Sequence, residues 1–153
     1  MQSGYIAGSV MDSPVGLLLV EAAGRSNAMT VSFFSEVAHH PTTLWVSIAR
    51  TAYTYSLIRE TGQFSLAVLS ASQKQIARSC GSVSGRTHNK CAALDLCRRP
   101  AGFLFLQGAL ASTACRVRES FQVGDHTLFV ADILEGETSS RASYLRHLLL
   151  SDL

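Results

Sequence analysis

The feature that most constrains this chain is a reversal in its C-terminal third. Residues 111–121 alternate polar and apolar side chains, Gly124-Asp125-His126 offers the residues of a tight turn, and residues 127–135 return in the same alternation. Two such runs joined by so short a turn pair as an antiparallel hairpin, because parallel pairing needs a crossover of a dozen or more residues. A second constraint lies near the start. Val15-Gly16-Leu17-Leu18-Leu19-Val20 is continuously apolar and ends at Gly24-Arg25-Ser26-Asn27, a turn. The simplest account is a buried strand followed by a tight turn.

The remaining elements follow from periodicity. Residues 28–35 predict a second strand, with Met29, Val31 and Phe33 alternating with small polar residues; Pro41 breaks the chain after His39-His40, and residues 43–48 alternate again. Residues 54–61 predict a helix with Tyr55, Leu57 and Ile58 on one face, Thr51 or Thr54 as N-cap and Gly62 at its C-terminal end. Residues 64–69 predict a strand, residues 72–80 a short helix capped by Ser72 with Ile76 facing inward, and residues 92–99 a third helix ended by Pro100. Residues 140–150 have a helical pattern. The total is about six or seven strands and two or three short helices. Few long crossovers divide them, so the expected fold is mainly β, an antiparallel closed or nearly closed barrel.

Composition narrows the function classes. The chain has 153 residues, 47% of them hydrophobic and 16% charged, which suits one domain with one core. Its net charge of +2 comes from scattered cations and excludes the dense basic face of a duplex nucleic-acid binder. None of the four cysteines forms a Cys-x-x-Cys pair, and the five histidines show no metal spacing. His39 and His40 are adjacent, so on a strand they point to opposite faces. No apolar run approaches the ~20 residues of a membrane span. The opening residues lack a signal-peptide pattern, so the expected compartment is the cytoplasm.

Several catalytic signatures are missing. There is no Gly-x-Gly-x-x-Gly after a strand, no phosphate-binding Gly-x-x-x-x-Gly-Lys-Ser/Thr and no Gly-x-Ser-x-Gly elbow. Three donor-rich segments remain. Residues 27–32 carry Asn27, Thr30 and Ser32; residues 47–54 carry Ser47, Arg50, Thr51 and Thr54; residues 82–90 carry Ser82, Ser84, Arg86 and Lys90. A helix start with free N–H groups and a nearby cationic loop suit a phosphate. Read one at a time, the first two segments are equally strand starts and helix caps, and the third a solvated turn.

Together the segments resemble the flavin reductase-like family with the FMN-binding split-barrel fold, which includes the flavoredoxins. The likeness rests on residues 24–32, on Ser47-Ile48 with residues 51–64, on Ser84-Gly85-Arg86 with Lys90, and on Gly124-Asp125-His126. It implies an antiparallel split β-barrel, a homodimer, and one FMN per subunit. It implies that the strand Asn27-Ala28-Met29-Thr30-Val31-Ser32 runs along the edge of the isoalloxazine ring, with Asn27, Thr30 and Ser32 bonding its rim. Phe33 matches an aromatic position of the family. Thr54, with Ser47, Arg50 and Thr51, is implied at the phosphate, as are Ser84, Arg86 and Lys90 from the loop. His126 matches a hairpin histidine near the flavin or the incoming nicotinamide. Thr87 and Asn89 stand where the family often carries acids.

The activity implied is flavin reduction: NADH or NADPH passes reducing equivalents through FMN to a free flavin or another acceptor, with a flavin-dependent monooxygenase as a recipient. An electron-carrying FMN protein without nicotinamide activity is the alternative, and an interaction domain that has lost flavin is a third. Fold alone does not separate them.

Overall fold

A computed structural model of the chain describes residues 12–139 and 143–146. The strands are β1 (Gly16–Ala22), β2 (Arg25–Val31), β3 (Phe34–His39), β4 (Thr42–Ala49), β5 (Gln63–Val68), β6 (Leu96–Arg98), β7 (Leu104–Leu106), β8 (Ala111–Val123) and β9 (His126–Thr138), and the α-helices are α1 (Tyr53–Thr61) and α2 (Lys74–Gly81). Seven strands form one sheet in the order β2-β1-β5-β8-β9-β4-β3, and β6 pairs with β7 apart from it. Every ladder of the large sheet is antiparallel. Among the described residues no ladder joins β2 to β3, so the sheet wraps without closing.

The apolar run becomes β1, and the sheet buries both of its faces. Leu18, Val20 and Ala22 enter an inner cluster with Leu57, Ile58, Phe64 and Phe129. Val15, Leu17 and Leu19 enter an outer cluster with Ala28, Leu69, Ala77, Leu104 and Leu106. Period-2 alternation along a strand explains the split: an unbroken apolar run needs apolar cover on both sides. Helix α1 fills the inner side with Leu57 and Ile58, whereas α2 and the β6–β7 pair cover the outer side. The β8–β9 hairpin forms as its turn chemistry requires, with Val123 opposite His126 and Gly124 at φ +58°.

Several local expectations need correction. The second strand stops at Val31, and a separate strand begins at Phe34. Helix α1 has Ala52 at its N-cap with no side-chain cap, so neither Thr51 nor Thr54 serves there; Gly62 does end it, at φ 68° with its N–H on the Ile58 carbonyl. The second helical segment is capped by Ser70 rather than Ser72, through a reciprocal box with Gln73. The helix expected over residues 92–99 is a single 3₁₀ turn, Lys90–Ala93, followed by strand β6. Residues 143–146 are extended, not helical: Tyr144 bridges Ser70 and Arg146 bridges Pro14. Leu145 between them is only 1% exposed, and its burial in the outer cluster outweighs the helical pattern. The rest of that helical expectation lies outside the described residues.

Candidate functional site

Three segments distant in sequence meet where β2, the start of α1 and the end of α2 converge. They enclose a cavity of about 320 Å³. Asn27, Met29 and Thr30 come from β2, Thr51 and Thr54 from the start of α1, and Ser84, Arg86 and Lys90 from the loop after α2. All eight were candidates from sequence.

The wall is built by hydrogen bonds between these segments. Asn27 Nδ2 donates to Thr54 Oγ1 at 2.8 Å, tying β2 to the first turn of α1. Thr30 Oγ1 donates to the Ala77 carbonyl at 2.6 Å and Lys90 Nζ to the Cys80 carbonyl at 2.8 Å, so both hold the C-terminal end of α2. A cation at that end also complements the helix dipole. Ser84 organizes the loop: its hydroxyl accepts the Arg86 N–H at 3.2 Å, and its carbonyl accepts the His88 N–H at 3.0 Å. Thr87, at a position where an acid was expected, donates its hydroxyl to that same carbonyl. Arg86 donates to the Thr51 carbonyl at 2.9 Å and lies 5.5 Å over the Tyr53 ring.

Charge in this wall has one sign. Arg86 and Lys90 line the cavity and no carboxylate does. Burial pushes the Lys90 ammonium below its ordinary 10.5, with the nearby Cys80 and Cys91 thiols opposing. The first turn of α1 opens on the same space with no side-chain cap on its N–H groups. These features suit an anion at the α1 end.

At the β2 end the requirement is different. Asn27 is 2% exposed, and its Oδ1 accepts no hydrogen bond. A buried amide oxygen without a donor is unfavourable by about 1–3 kcal/mol. A Cβ added at Gly85 would lie 2.1 Å from that oxygen, so only glycine lets the loop approach the amide this closely. A planar ligand with N–H and carbonyl groups on its rim and an anionic tail fits this donor set.

The other candidates stand elsewhere. Ala28 turns its side chain into the outer core cluster. Ser32 is half-buried in the link between β2 and β3. Ser47 sits in β4, with its N–H on the Phe33 carbonyl at 2.9 Å. Arg50 does not reach the cavity lining: its guanidinium donates to the carbonyls of Gly124 and His126, so it clamps the β8–β9 turn. Phe33 and His126 form a second cluster, with ring centroids 5.7 Å apart. His126 Nδ1 lies 2.8 Å from Asp125 Oδ1, and this contact holds the Asp125 carboxyl below its ordinary 3.8. Missed from sequence were Tyr53, Cys80 and Gly81 in the cavity wall, and Val83 was not singled out within its loop. Ser82 and Gly85 lay in the loop already singled out; Cys80 and Gly81 close a helix and gave no signal of their own.

The fold is the split barrel of flavin-binding proteins. The model of the flavin reductase-like domain matches residues 8–149, and the chain belongs to that family. It is 33% identical over 107 residues to an NADH-dependent flavin reductase of a Rhodococcus species, covering 70% of this chain and 58% of that protein. It is 32% identical over 120 residues to an uncharacterized protein of Archaeoglobus fulgidus, covering 76% and 68%. In structure it superposes on an FMN-binding protein of Thermus thermophilus with a TM-score of 0.83 at 23% identity, covering 91% of this chain and 77% of that one. Among the described residues no His/Cys/Asp/Glu group could hold a metal ion, and no helix is long and apolar enough to cross a membrane.

Proposed function

We propose that the cavity holds the FMN unit of a flavin and that the protein is an NAD(P)H-dependent flavin reductase. The observation that carries the reading is the cavity lined by two cations and no carboxylate, one end of which carries the unpartnered Asn27 amide oxygen. When bound, the flavin supplies the hydride-accepting ring, and the protein supplies binding, orientation and electrostatics.

The residues divide that work. Asn27 presents an acceptor to a ring N–H from a site shielded from water, where a hydrogen bond is stronger. Met29 offers apolar contact beside it. Thr51, Ser84 and the uncapped first turn of α1 donate to the phosphate, and Arg86 and Lys90 balance its charge. Thr30 acts on α2 rather than on ligand, since its hydroxyl is committed to the Ala77 carbonyl. Phe33 and His126 form the second aromatic cluster, where the nicotinamide nucleotide meets the protein. NADH is the reductant this reading favours. The recipient of the reducing equivalents is a free flavin or a monooxygenase that consumes it, and two copies of the chain form the working unit.

Anaerobic reduction of the flavin-loaded protein tests the proposal. Addition of NADH is expected to bleach the flavin absorption. Absence of bleaching with both NADH and NADPH at millimolar levels overturns the reductase reading and leaves an electron carrier.

A further inference from the structure

The two cations that line the cavity are held in different ways. Lys90 is half-buried and bonded to the Cys80 carbonyl, whereas Arg86 stands on an exposed loop. A free arginine side chain there would spread over many rotamers. In the fold it is fixed from two sides. Its Nη1 donates to the Thr51 carbonyl at 2.9 Å, and its guanidinium carbon lies 5.5 Å from the centroid of the Tyr53 ring. We infer that Tyr53 positions Arg86 for a phosphate, and that this pairing sets how strongly the site prefers a phosphorylated flavin to riboflavin. The inference rests on the placement of the phosphate proposed above, and it gives the selectivity of that site to a residue that carries no charge.

Tyr53 is suited to this by its place in the chain. It is the first residue of α1, beside the uncapped N–H groups of that helix's first turn. Its ring packs against the inner cluster, which fixes it as a platform, and it lines the cavity next to Arg86. An aromatic face attracts a guanidinium through its quadrupole, and the contact uses the flat face of the cation. The N–H donors of a guanidinium lie in its plane, so stacking leaves them free, and the bond to Thr51 draws only on Nη1. An arginine held in this way keeps its charge and most of its donors. A carboxylate partner would fix it equally well but would offset the charge that attracts a phosphate.

The acid on the same helix is occupied elsewhere. Glu60 lies about two turns after Tyr53 on α1 and pairs with Arg25 at 2.5 Å. Bonding to Glu60 holds the Arg25 guanidinium above its ordinary value, and the Tyr53 hydroxyl acts in the same direction. Among the described residues no ion pair joins a carboxylate to Arg86. Tyr53 therefore stands between two arginines in different states. Arg25, on its hydroxyl side, is matched by Glu60, and Arg86, over its ring, keeps its charge for a ligand.

Fluorescence titration with FMN and with riboflavin gives the test. Both are titrated into the wild-type protein, Tyr53→Leu, Tyr53→Gln, Tyr53→Phe, Arg86→Met and the double variant Tyr53→Leu/Arg86→Met, with thermal unfolding to check that each is folded. Loss of the ring in Tyr53→Leu or Tyr53→Gln is expected to weaken FMN about fivefold, the upper end for a cation–π contact at an exposed site, while riboflavin affinity stays within about twofold. Tyr53→Phe keeps the aromatic face and is expected to keep the wild-type preference. In the Arg86→Met background, Tyr53→Leu is expected to change FMN affinity by less than about twofold, because the side chain it acts through is gone. Equal weakening of FMN and riboflavin overturns the inference and makes Tyr53 a direct contact of the flavin. An FMN loss that persists in the Arg86→Met background overturns it too, as does an unchanged FMN affinity in the ring-less variants. An Arg86→Met variant that binds FMN as tightly as the wild type overturns the phosphate placement itself, and this inference with it.

Discussion

Asn27 and Thr54 are joined by a 2.8 Å hydrogen bond across 27 residues of sequence, and they are 2% and 0% exposed. The bond ties strand β2 to the first turn of helix α1, two walls of the same cavity. Thr54→Val keeps the shape but removes the acceptor, leaving the Asn27 amide with neither end bonded. The expected loss is about 1–3 kcal/mol of stability, measured by urea unfolding. In a double-mutant cycle with Asn27→Ala the coupling should be about 1 kcal/mol. Additive losses would show that the pair does not act as a unit.

Gly85 gives a prediction of the opposite kind, large for ligand and small for stability. Its Cβ would meet Asn27 Oδ1 at 2.1 Å and Cγ at 2.4 Å, so in Gly85→Ala either the loop or the amide must move. Flavin affinity is expected to fall by about tenfold or more, while stability changes by less than about 1 kcal/mol because the loop is largely exposed. Gly62→Ala is the contrasting control. It has open space around its Cβ but a φ of +68°, so it loses about 1 kcal/mol of stability with flavin affinity unchanged. Titration with FMN and thermal unfolding of both variants check the pair of outcomes.

Much of this architecture was legible before any coordinates. The β8–β9 turn, the apolar run of β1 and Gly62 after α1 are local signals, and local chemistry decides them. The failures have a common cause in tertiary contacts. Ser72 is a good cap, but Ser70 wins because Gln73 can answer it. Residues 143–146 have a helical pattern, but the buried slot for Leu145 between residues 15 and 69 favours an extended path, with Leu145 N–H on the Leu69 carbonyl at 2.8 Å. At the site, eight of the candidate residues, drawn from three separate segments, converge on one cavity. Arg50 stands apart from them, on the carbonyls of the β8–β9 turn, because a guanidinium suits a phosphate and a turn carbonyl equally well and sequence does not say which is in reach.

On the proposed function, Lys90 is expected to make flavin affinity depend on pH with a definite sign. Burial lowers its ammonium from the ordinary 10.5, and an anionic phosphate beside it raises that value again. Phosphate binding therefore favours the protonated lysine. Affinity should be flat where the lysine is protonated and the phosphate, whose second ionisation lies at about pH 6, is fully charged, then fall as pH rises through the lowered Lys90 value of the free protein. The stability of the flavin-free protein runs the other way. A folded-state pKa below the unfolded value means the fold disfavours the charged form, so stability rises across the interval between that lowered value and 10.5. Lys90→Met should weaken FMN binding about tenfold at neutral pH and remove this part of the pH dependence. An unchanged FMN affinity in Lys90→Met would exclude Lys90 as a phosphate partner.

On the proposed function, His126 is expected to separate binding from reduction. Its ring lies against Phe33 and Asp125, and neither it nor Phe33 lines the cavity between β2 and α1. Its carbonyl, not its ring, receives the Arg50 clamp, so His126→Ala leaves the backbone of the turn in place. FMN affinity should then change by no more than about twofold, within the range of surface substitutions. The rate of anaerobic reduction by NADH should fall on the order of 10- to 100-fold, the scale on which misplacing a reactant slows a reaction. Stopped-flow absorbance at the flavin band resolves the two quantities. A variant that loses flavin but reduces normally once saturated would make His126 a binding residue instead. A parallel Phe33→Ala variant should show the same kinetic signature, because its ring packs against that of the histidine.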